Sequence, residues 1–234
     1  MDLLDGDPVA TVRFFATHAG TPTEDGYPDY GDSQTTRVFV NDMGWQIALS
    51  TLYVTTSEVR LVRCQEDSGT AIEMFWGPCP EDFVSFNDLD SVPLGAVTVT
   101  DGAYCRVDVT FGPFVAPASA DEHIAVGSPI IEDNTIAVIG VARRGEPPMQ
   151  EEVPFEIVSD AVVTARVDIS KLENGGPVRL EDEQFARDLT IIKSYDTMFD
   201  GLDFETATPA EIEASVLNGL ESFTRAHNGT YDTD

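Results

Sequence analysis

Residues suited to binding a soft metal ion are few in this sequence. Its 234 residues include three histidines, three cysteines and two tryptophans. Trp76 and Cys79 share the loop 74–80, which is unusually apolar for a stretch rich in proline and glycine. Cu(I) prefers thiolate, thioether and imidazole ligands. Together with His123, which follows a Pro-rich crossover, this loop predicts either a soft-metal site or an apolar plug over one end of the fold.

A second candidate site is acidic. Asp25, Asp29 and Asp32 lie on the loop 24–32, which is punctuated by glycine and proline. Ca²⁺ binds carboxylate and carbonyl oxygens on flexible backbone. The spacing is not that of an EF-hand, so the loop predicts either a calcium site of another kind or a solvated acidic loop. The acidic turn 199–204 instead predicts a tight structural loop with its aromatic side chains turned inward.

Motifs for catalysis are absent from the sequence. It contains no Gly-x-Ser-x-Gly elbow, no His-Glu-x-x-His and no glycine-rich phosphate or dinucleotide loop. With 42 acidic residues, pairs of carboxylates occur by chance and carry almost no information. We therefore predict no catalytic residues, and a hydrolase that uses an Asp/Glu pair is the weakest alternative.

The charge balance excludes some partners. Forty-two acidic against 13 basic residues give a net charge of −29, and the only lysines are Lys171 and Lys193. Proteins bind nucleic acids and anionic membranes mainly through cationic side chains, so neither is an expected partner of this acidic chain. The sequence contains no run of 18 apolar residues, so we predict no membrane insertion. Such a surface suits metal cations or high salt, or serves solubility alone.

Alternating apolar and polar residues dominate the chain. Residues 12, 14 and 16 are Val, Phe and Ala, and they alternate with Arg13, Phe15 and Thr17, as in half-buried strands that have one wet face. About nine such strands, including 45–54 and 57–64, predict an all-β fold, an antiparallel β-sandwich in a single domain over residues 1–234. Asp101-Gly102 predicts a tight hairpin turn between two of the strands.

One helix is predicted, near the C-terminus. Thr208-Pro209-Ala210-Glu211 combines a capping box with proline at the first helical position. Apolar residues at helical spacing follow, so we expect a helix over 208–226 that packs on the sandwich. The remainder, 227–234, is expected to be frayed, with His227 uninvolved in function.

The cysteines and the N-terminus bear on location. Cys64, Cys79 and Cys105 allow three disulfide pairings, and the residues alone do not choose among them. Exported proteins use such cysteines as staples, whereas cytosolic proteins keep them reduced or use them to bind metal. The first residues show no leader peptide. The alternatives are a cytosolic protein and an exported one whose leader is absent from this chain.

The layout of the chain resembles the MbnP/CorA/MopE family of bacterial copper-binding proteins. The similarity lies in the opening strand 9–17, the segment 44–49 leading into 52–64, Leu94-Gly95 with 102–107, and the turn 199–204 before the final helix. The resemblance implies an exported β-rich protein, periplasmic or on the cell surface. In that family copper is held by two histidines and a tryptophan oxidised to kynurenine, sometimes with calcium nearby.

Carried onto this chain, the resemblance implies His18 and His123 as imidazole ligands and Trp76 as the modified residue, with Trp45 in the core. It also implies a Cys64–Cys105 disulfide, which by loop-closure entropy would stabilise the fold by roughly 4 kcal/mol. Cys79 would then be unpaired and a candidate copper ligand; pairing of Cys64 with Cys79 is the alternative. The chain departs from the family in having no His-rich stretch after Cys64 and no histidine within two residues of either tryptophan.

The sequence thus favours an exported, non-catalytic protein that binds metal ions. Copper would be sequestered or delivered to a periplasmic enzyme or transporter, and calcium would be structural. The alternative is a cell-surface module that binds a protein or glycan through its loops and has no metal function.

Overall fold

Two β-sheets and one α-helix make up the described part of the fold. The structure, a computed structural model, describes residues 9–21, 36–85, 87–116, 129–145, 149–181 and 186–231. The strands of the first sheet are β1 (Val9–Ala19), β5 (Glu73–Met74), β7 (Val92–Thr100), β13 (Ala186–Ser194) and β14 (Thr224–Asn228). Their order across the sheet is β14-β13-β1-β7-β5. Neighbouring strands are antiparallel except for the parallel pair β1 and β13.

The strands of the second sheet are β2 (Arg37–Val40), β3 (Gln46–Arg63), β4 (Thr70–Ala71), β6 (Cys79–Asp82), β8 (Gly102–Phe111), β9 (Ile136–Arg144), β10 (Glu151–Ser159), β11 (Val163–Asp168) and β12 (Val178–Leu180). This sheet is antiparallel and has the central order β10-β9-β3-β8-β11. Short strands extend it: β2, β4 and β6 pair with β3, and β12 pairs with β8.

The alternating residues form the core between the sheets, as the sequence predicts. Val12, Phe14 and Ala16 of β1 are fully buried, and so are Val107 and Val109 of β8. The all-β sandwich with one helix is confirmed. The predicted strands 45–54 and 57–64 are one 18-residue strand, β3, because register shifts at Leu49/Thr51 and Thr56/Glu58 absorb the change in pattern.

The predicted hairpin at Asp101-Gly102 is wrong. β7 belongs to the first sheet and β8 to the second, so the turn is a corner between the sheets. Gly102 has a positive φ of 146°, and the Tyr104 hydroxyl donates to the Thr100 carbonyl at 2.7 Å across the corner. A hairpin and a corner between sheets can both have a glycine turn that joins two strands with alternating apolar residues. Only the strands with which each of the two pairs distinguish a hairpin from a corner.

The α-helix α1 covers Pro209–Phe223 and begins at the predicted capping box. The Thr208 hydroxyl accepts from the Glu211 backbone N–H at 3.3 Å, and the Thr208 N–H donates to the Glu211 carboxylate at 2.8 Å. The helix packs against the short 3₁₀ helix Asp196–Phe199 and against β10 and β11. Another 3₁₀ helix, Pro129–Ile131, lies beside β9.

The end of the helix differs from the prediction. α1 stops at Phe223 instead of 226, and β14 (Thr224–Asn228) includes the first two residues of the predicted frayed tail 227–234. The last three residues of that tail lie outside the described residues. His227 lies in this strand opposite Thr190 of β13. β13 needs a partner on its outer edge, and that long-range pairing overrides the local expectation of fraying.

The Cys64–Cys105 disulfide is present and joins β3 to β8. Cys79 is therefore the free cysteine. Within the described ranges, no helix has the length and apolar character needed to cross a membrane.

Candidate functional site

A cluster of buried ionisable side chains lies between the two sheets. The parallel register of β1 and β13 sets His18 beside Lys193. From the second sheet, β6 contributes Glu81. The exposed fractions of His18, Glu81 and Lys193 are 0%, 2% and 1%. These three residues, which we call the ion cluster, are the most deeply buried group of ionisable side chains among the described residues.

Glu81 is the centre of the ion cluster. Lys193 Nζ donates to Glu81 Oε2 at 2.6 Å, and His18 Nδ1 lies 2.9 Å from Glu81 Oε1. Each carboxylate oxygen therefore has its own hydrogen-bond partner. Burial of an unpaired charge would be very costly, and this pairing offsets that cost.

Aromatic rings fix the orientation of the His18 imidazole. The Phe83 ring stacks on it, with centroids 4.5 Å apart and an angle of 13° between the planes. The Tyr195 ring lies 6.1 Å away in a tilted arrangement. Lys193 Nζ is 5.7 Å from the centroid of the same Phe83 ring. The imidazole is thus held between a flat apolar wall and a carboxylate.

A second ion pair, Arg37–Asp88, holds the two aromatic residues beside His18 in place. The buried Arg37 guanidinium donates from Nε to the Phe83 carbonyl at 2.8 Å and lies 3.5 Å from Asp88 Oδ1. The Tyr195 hydroxyl donates to the Asp88 carboxylate at 3.0–3.1 Å. The Gly20 N–H, just after β1, donates to the same carboxylate. The ring positions around His18 are therefore set by a continuous hydrogen-bonded network.

Electrostatics keep Glu81 ionised. Burial alone would raise the pKa of Glu81, but the attraction of Lys193 and the hydrogen bond from His18 outweigh burial and hold the pKa below its ordinary value. Cys79 lies two residues before Glu81 on β6 and packs against the core. Burial, followed by the Glu81 charge, raises the pKa of the Cys79 thiol to about 11. Cys79 is thus a protonated thiol at neutral pH.

The ion cluster can do one kind of chemistry beyond pairing charges. An ionised Glu81 accepts a hydrogen bond from the protonated Nδ1 of His18, so in the neutral ring the lone pair resides on Nε2. Metal-binding histidines are commonly oriented by such a carboxylate. In the described part of the chain, however, no three His, Cys, Asp or Glu side chains are grouped closely enough to hold a metal ion.

The predicted site residues have different surroundings. His18 lies in the ion cluster and Cys79 lies beside it, whereas Trp76, between β5 and β6, is 53% exposed. His123 and the calcium candidates Asp25, Asp29 and Asp32 fall outside the described residues. Trp45 is fully buried in the core, as expected, and its Nε1 donates to Asp203 Oδ1 at 3.0 Å.

The turn 199–204 is a structural loop, as the sequence predicts. Phe199, Leu202 and Phe204 are buried. The buried Asn41 amide donates to the Phe199 and Leu202 carbonyls at 3.0 and 2.9 Å. The turn's aromatic residues therefore belong to the core.

Sequence reasoning did not identify Glu81 and Lys193 as members of the site. A signal exists for Lys193, because it is one of two lysines and lies within the apolar stretch of β13. Lysine is almost never fully buried without a partner, so its position indicates a buried carboxylate. Nothing in the sequence around Glu81 distinguishes it from the other acidic residues.

The fold and the ion cluster define an all-β sandwich with one C-terminal helix and a charged interior. No protein-family model and no curated protein sequence matches the chain. A search of solved structures finds MbnP from Methylosinus trichosporium, with a TM-score of 0.39 and 10% sequence identity, over 96% of this chain and 100% of that chain. Similarity at this level is a distant structural relationship and carries no argument about ligands.

Proposed function

We propose that this chain is an exported, non-catalytic metal-binding protein, that copper is its ion, and that His18 is a ligand through Nε2. The observation that carries the proposal is the buried hydrogen bond between His18 Nδ1 and the Glu81 carboxylate. That bond selects the tautomer in which Nε2 can coordinate a metal, and the stacked Phe83 ring holds the imidazole in one orientation.

Lys193 contributes to this arrangement by balancing charge. A lone carboxylate in the core would take up a proton and become a weaker acceptor for His18. The Lys193 ammonium, 2.6 Å from Glu81 Oε2, keeps the carboxylate ionised. Glu81 and Lys193 are thus positioning residues, and they do not coordinate the metal.

The remaining ligands are proposed from the sequence. His123 would supply the second imidazole, and Trp76 or Cys79 a further contact. The Cys79 thiol is the weakest of these candidates, since a metal would have to displace a proton from a group whose pKa is about 11. We therefore expect copper to depend on the histidines more than on Cys79.

Native mass spectrometry with Cu(I) tests the proposal. Wild type should gain the mass of one copper ion, and His18→Gln and His123→Gln should lose it at micromolar metal. His227→Gln is the matched control, because His227 lies in β14 of the same sheet and outside the ion cluster. Retention of copper by both the His18 and His123 variants would refute the proposed ligands.

Loss of the fold must be separated from loss of the site, because His18 is fully buried. Imidazole ¹⁵N spectra of the wild-type protein provide this separation, since they need no substitution. Binding should shift the Nε2 resonance of His18 and leave Nδ1 in its hydrogen-bonded state. Glu81→Gln should weaken copper binding by roughly 10–100-fold, as for other outer-shell partners of metal-binding histidines.

Export is part of the proposal. The Cys64–Cys105 disulfide is the feature that supports it, since disulfides form and persist in oxidising compartments. Mass mapping of the protein isolated from its native host should find this disulfide intact in the periplasmic or cell-surface fraction. A fully reduced protein in the cytosolic fraction would contradict export.

Calcium is proposed separately for Asp25, Asp29 and Asp32. Isothermal titration with Ca²⁺ should show one saturable site that the triple Asp→Asn variant lacks, while copper binding stays unchanged. Equal heats for the two proteins would remove calcium from the proposal without affecting the copper site.

A second candidate function is a surface interaction module for a protein or glycan. The observation in its favour is the loop between β5 and β6, where Phe75 and Trp76 are 50% and 53% exposed. Exposed neighbouring aromatics are typical of interaction sites. Capture of a partner by wild type but not by Trp76→Ala, in protein that shows no copper mass shift, would favour this function.

A further inference from the structure

Arginine is unevenly distributed in this acidic protein. Thirteen basic residues minus two lysines leave eleven arginines. Three of them, Arg63, Arg106 and Arg166, line one groove of about 260 Å³ beside Cys105. We call this the arginine groove. It lies at the end of β3 and along β8 and β11, in the second sheet and away from the residues of the ion cluster.

Two of the three guanidinium groups are already held in place by the protein. Arg106 donates from Nε and Nη2 to the two Asp108 oxygens at 2.7 and 3.1 Å, and from Nη2 to the Asp67 carbonyl at 2.8 Å. Arg63 donates to the Asp101 carbonyl at 2.6 Å, and its guanidinium lies over the Tyr104 ring at 5.6 Å. A ligand would therefore not have to immobilise these side chains, which lowers the entropic cost of binding.

Arg166 differs from both. It is an exposed residue of β11, opposite Asp108 of β8 in the register. Asp108 is engaged by Arg106, and no other described residue accepts a hydrogen bond from the Arg166 guanidinium or forms an ion pair with it. Its planar set of N–H donors is thus available, and it lines the same groove as the two fixed guanidinium groups.

The arginine groove is less acidic than the molecule as a whole. Its lining holds three arginines and two acidic residues, Glu66 and Asp168, and the Asp108 carboxylate pairs with Arg106 at 2.7 Å. These three positive and three negative side chains balance, in a chain of net charge −29. The Asp168 carboxylate is already an acceptor for the Ser170 N–H at 2.8 Å. The groove has room for a small ion.

We propose that the arginine groove binds a small oxyanion of the phosphate or sulfate class. Guanidinium groups recognise such ions through paired N–H donors whose planar arrangement matches two oxygens of one ion. Arg166 is the principal ligand in this proposal, and Arg63 and Arg106 place two further, already fixed guanidinium groups in the same lining. The site does not depend on the metal proposal, since it shares no residue with it.

Titration with inorganic phosphate tests the site. We expect a saturable change in the backbone amide NMR signals of β8 and β11 at low ionic strength, with sulfate competing. Arg166→Gln should weaken phosphate binding at least tenfold, and Arg166→Lys should weaken it less. Arg13→Gln is the matched control, since Arg13 is an exposed strand arginine in the first sheet, and it should bind like wild type.

Two results would overturn the proposal. One is phosphate binding to wild type no stronger than chloride binding at matched ionic strength. The other is equal phosphate affinity in wild type and Arg166→Gln. Because Arg166 is exposed, the amide spectrum of that variant should stay dispersed, so either result bears on the site and not on the fold.

Discussion

At the scale of single residues, Lys193 is the clearest case of a side chain whose surroundings decide its role. It is one of two lysines in the chain, and it is 1% exposed beside Glu81, whereas Lys171 is exposed. Lys193→Met would leave the Glu81 carboxylate buried without its cation. Removing one partner of a buried pair costs about 3–5 kcal/mol, and we expect that loss in urea unfolding.

The matched control for this prediction is Lys171→Met. A substitution at an exposed site should change the free energy of unfolding by less than about 0.5 kcal/mol. If the Lys193 and Lys171 variants are equally stable, the ion cluster contributes nothing to folding and the proposed balance of charge around Glu81 fails.

The lowered pKa of Glu81 predicts how the free energy of unfolding depends on pH. Its pKa is lowered in the folded state, so its contribution to stability is complete above the ordinary glutamate pKa of about 4.3. That contribution is lost as the pH falls below this value and through the folded pKa. The difference in unfolding free energy between wild type and Glu81→Gln should therefore be constant near neutrality and shrink in acid. A difference that grows in acid would contradict the lowered pKa.

Cys79 makes a prediction about reactivity. Burial raises the pKa of the Cys79 thiol to about 11, so at pH 8 roughly one thiol in a thousand is the reactive thiolate. Iodoacetamide should label the folded protein slowly and the urea-unfolded protein rapidly, with one label per chain because Cys64 and Cys105 are joined. Rapid labelling of the folded protein would show that Cys79 is accessible and ionised.

At the scale of elements, Gly219 fixes how closely the helix approaches the sandwich. A Cβ on Gly219 would lie 2.9 Å from both the Cα and the Cγ of Met198 in the 3₁₀ helix Asp196–Phe199. Since one of these is a backbone atom, Gly219→Ala should force the two helices apart and cost about 1–3 kcal/mol. Thermal unfolding measures this cost.

The neighbouring Asn218→Ala is the control for helix propensity. Asn218 is exposed on the same turn, and alanine is the better helix former, so that variant should be slightly more stable than wild type. If Gly219→Ala is stabilised to the same degree, the close approach to Met198 does not constrain the packing.

The elements also show how far sequence reasoning reaches. Periodicity identifies β1 and β8, and the capping box at Thr208 identifies the start of α1, because these signals depend on local side-chain alternation and hydrogen bonding. The corner at Gly102 was predicted as a hairpin, and β14 was predicted as the end of the helix and the start of a tail. Both differ from the structure because each depends on which distant strand supplies the partner.

The candidate site follows the same division. His18 is a candidate only through the resemblance to the copper-binding family, which implies it as an imidazole ligand. The position of Lys193 in an apolar strand could have indicated the ion cluster. The pairing of these two residues with Glu81 depends on the parallel register of β1 and β13 and on the placement of β6. That register sets His18 beside Lys193, 175 residues further along the chain. No local pattern encodes such a pairing.

At the scale of the whole molecule, the net charge of −29 makes the surface respond to salt differently from the interior. Surface carboxylates repel one another, and two of them about 10 Å apart in water contribute about 0.4 kcal/mol of repulsion. Salt screens this repulsion, and the Debye screening length falls from about 30 Å at 0.01 M to about 3 Å at 1 M salt. The free energy of unfolding should therefore rise with sodium chloride over this range, by at least about 1 kcal/mol, the repulsion of some three such pairs.

The ion cluster responds differently, because it is shielded from solvent. His18, Glu81 and Lys193 are at most 2% exposed, and buried pairs are screened by salt much less than exposed ones. The stability difference between wild type and Lys193→Met should therefore be the same at low and high salt, while both proteins gain absolute stability. If this stability difference shrinks as salt is added, water and ions reach Glu81. The ion cluster would then be screened like the charges on the surface.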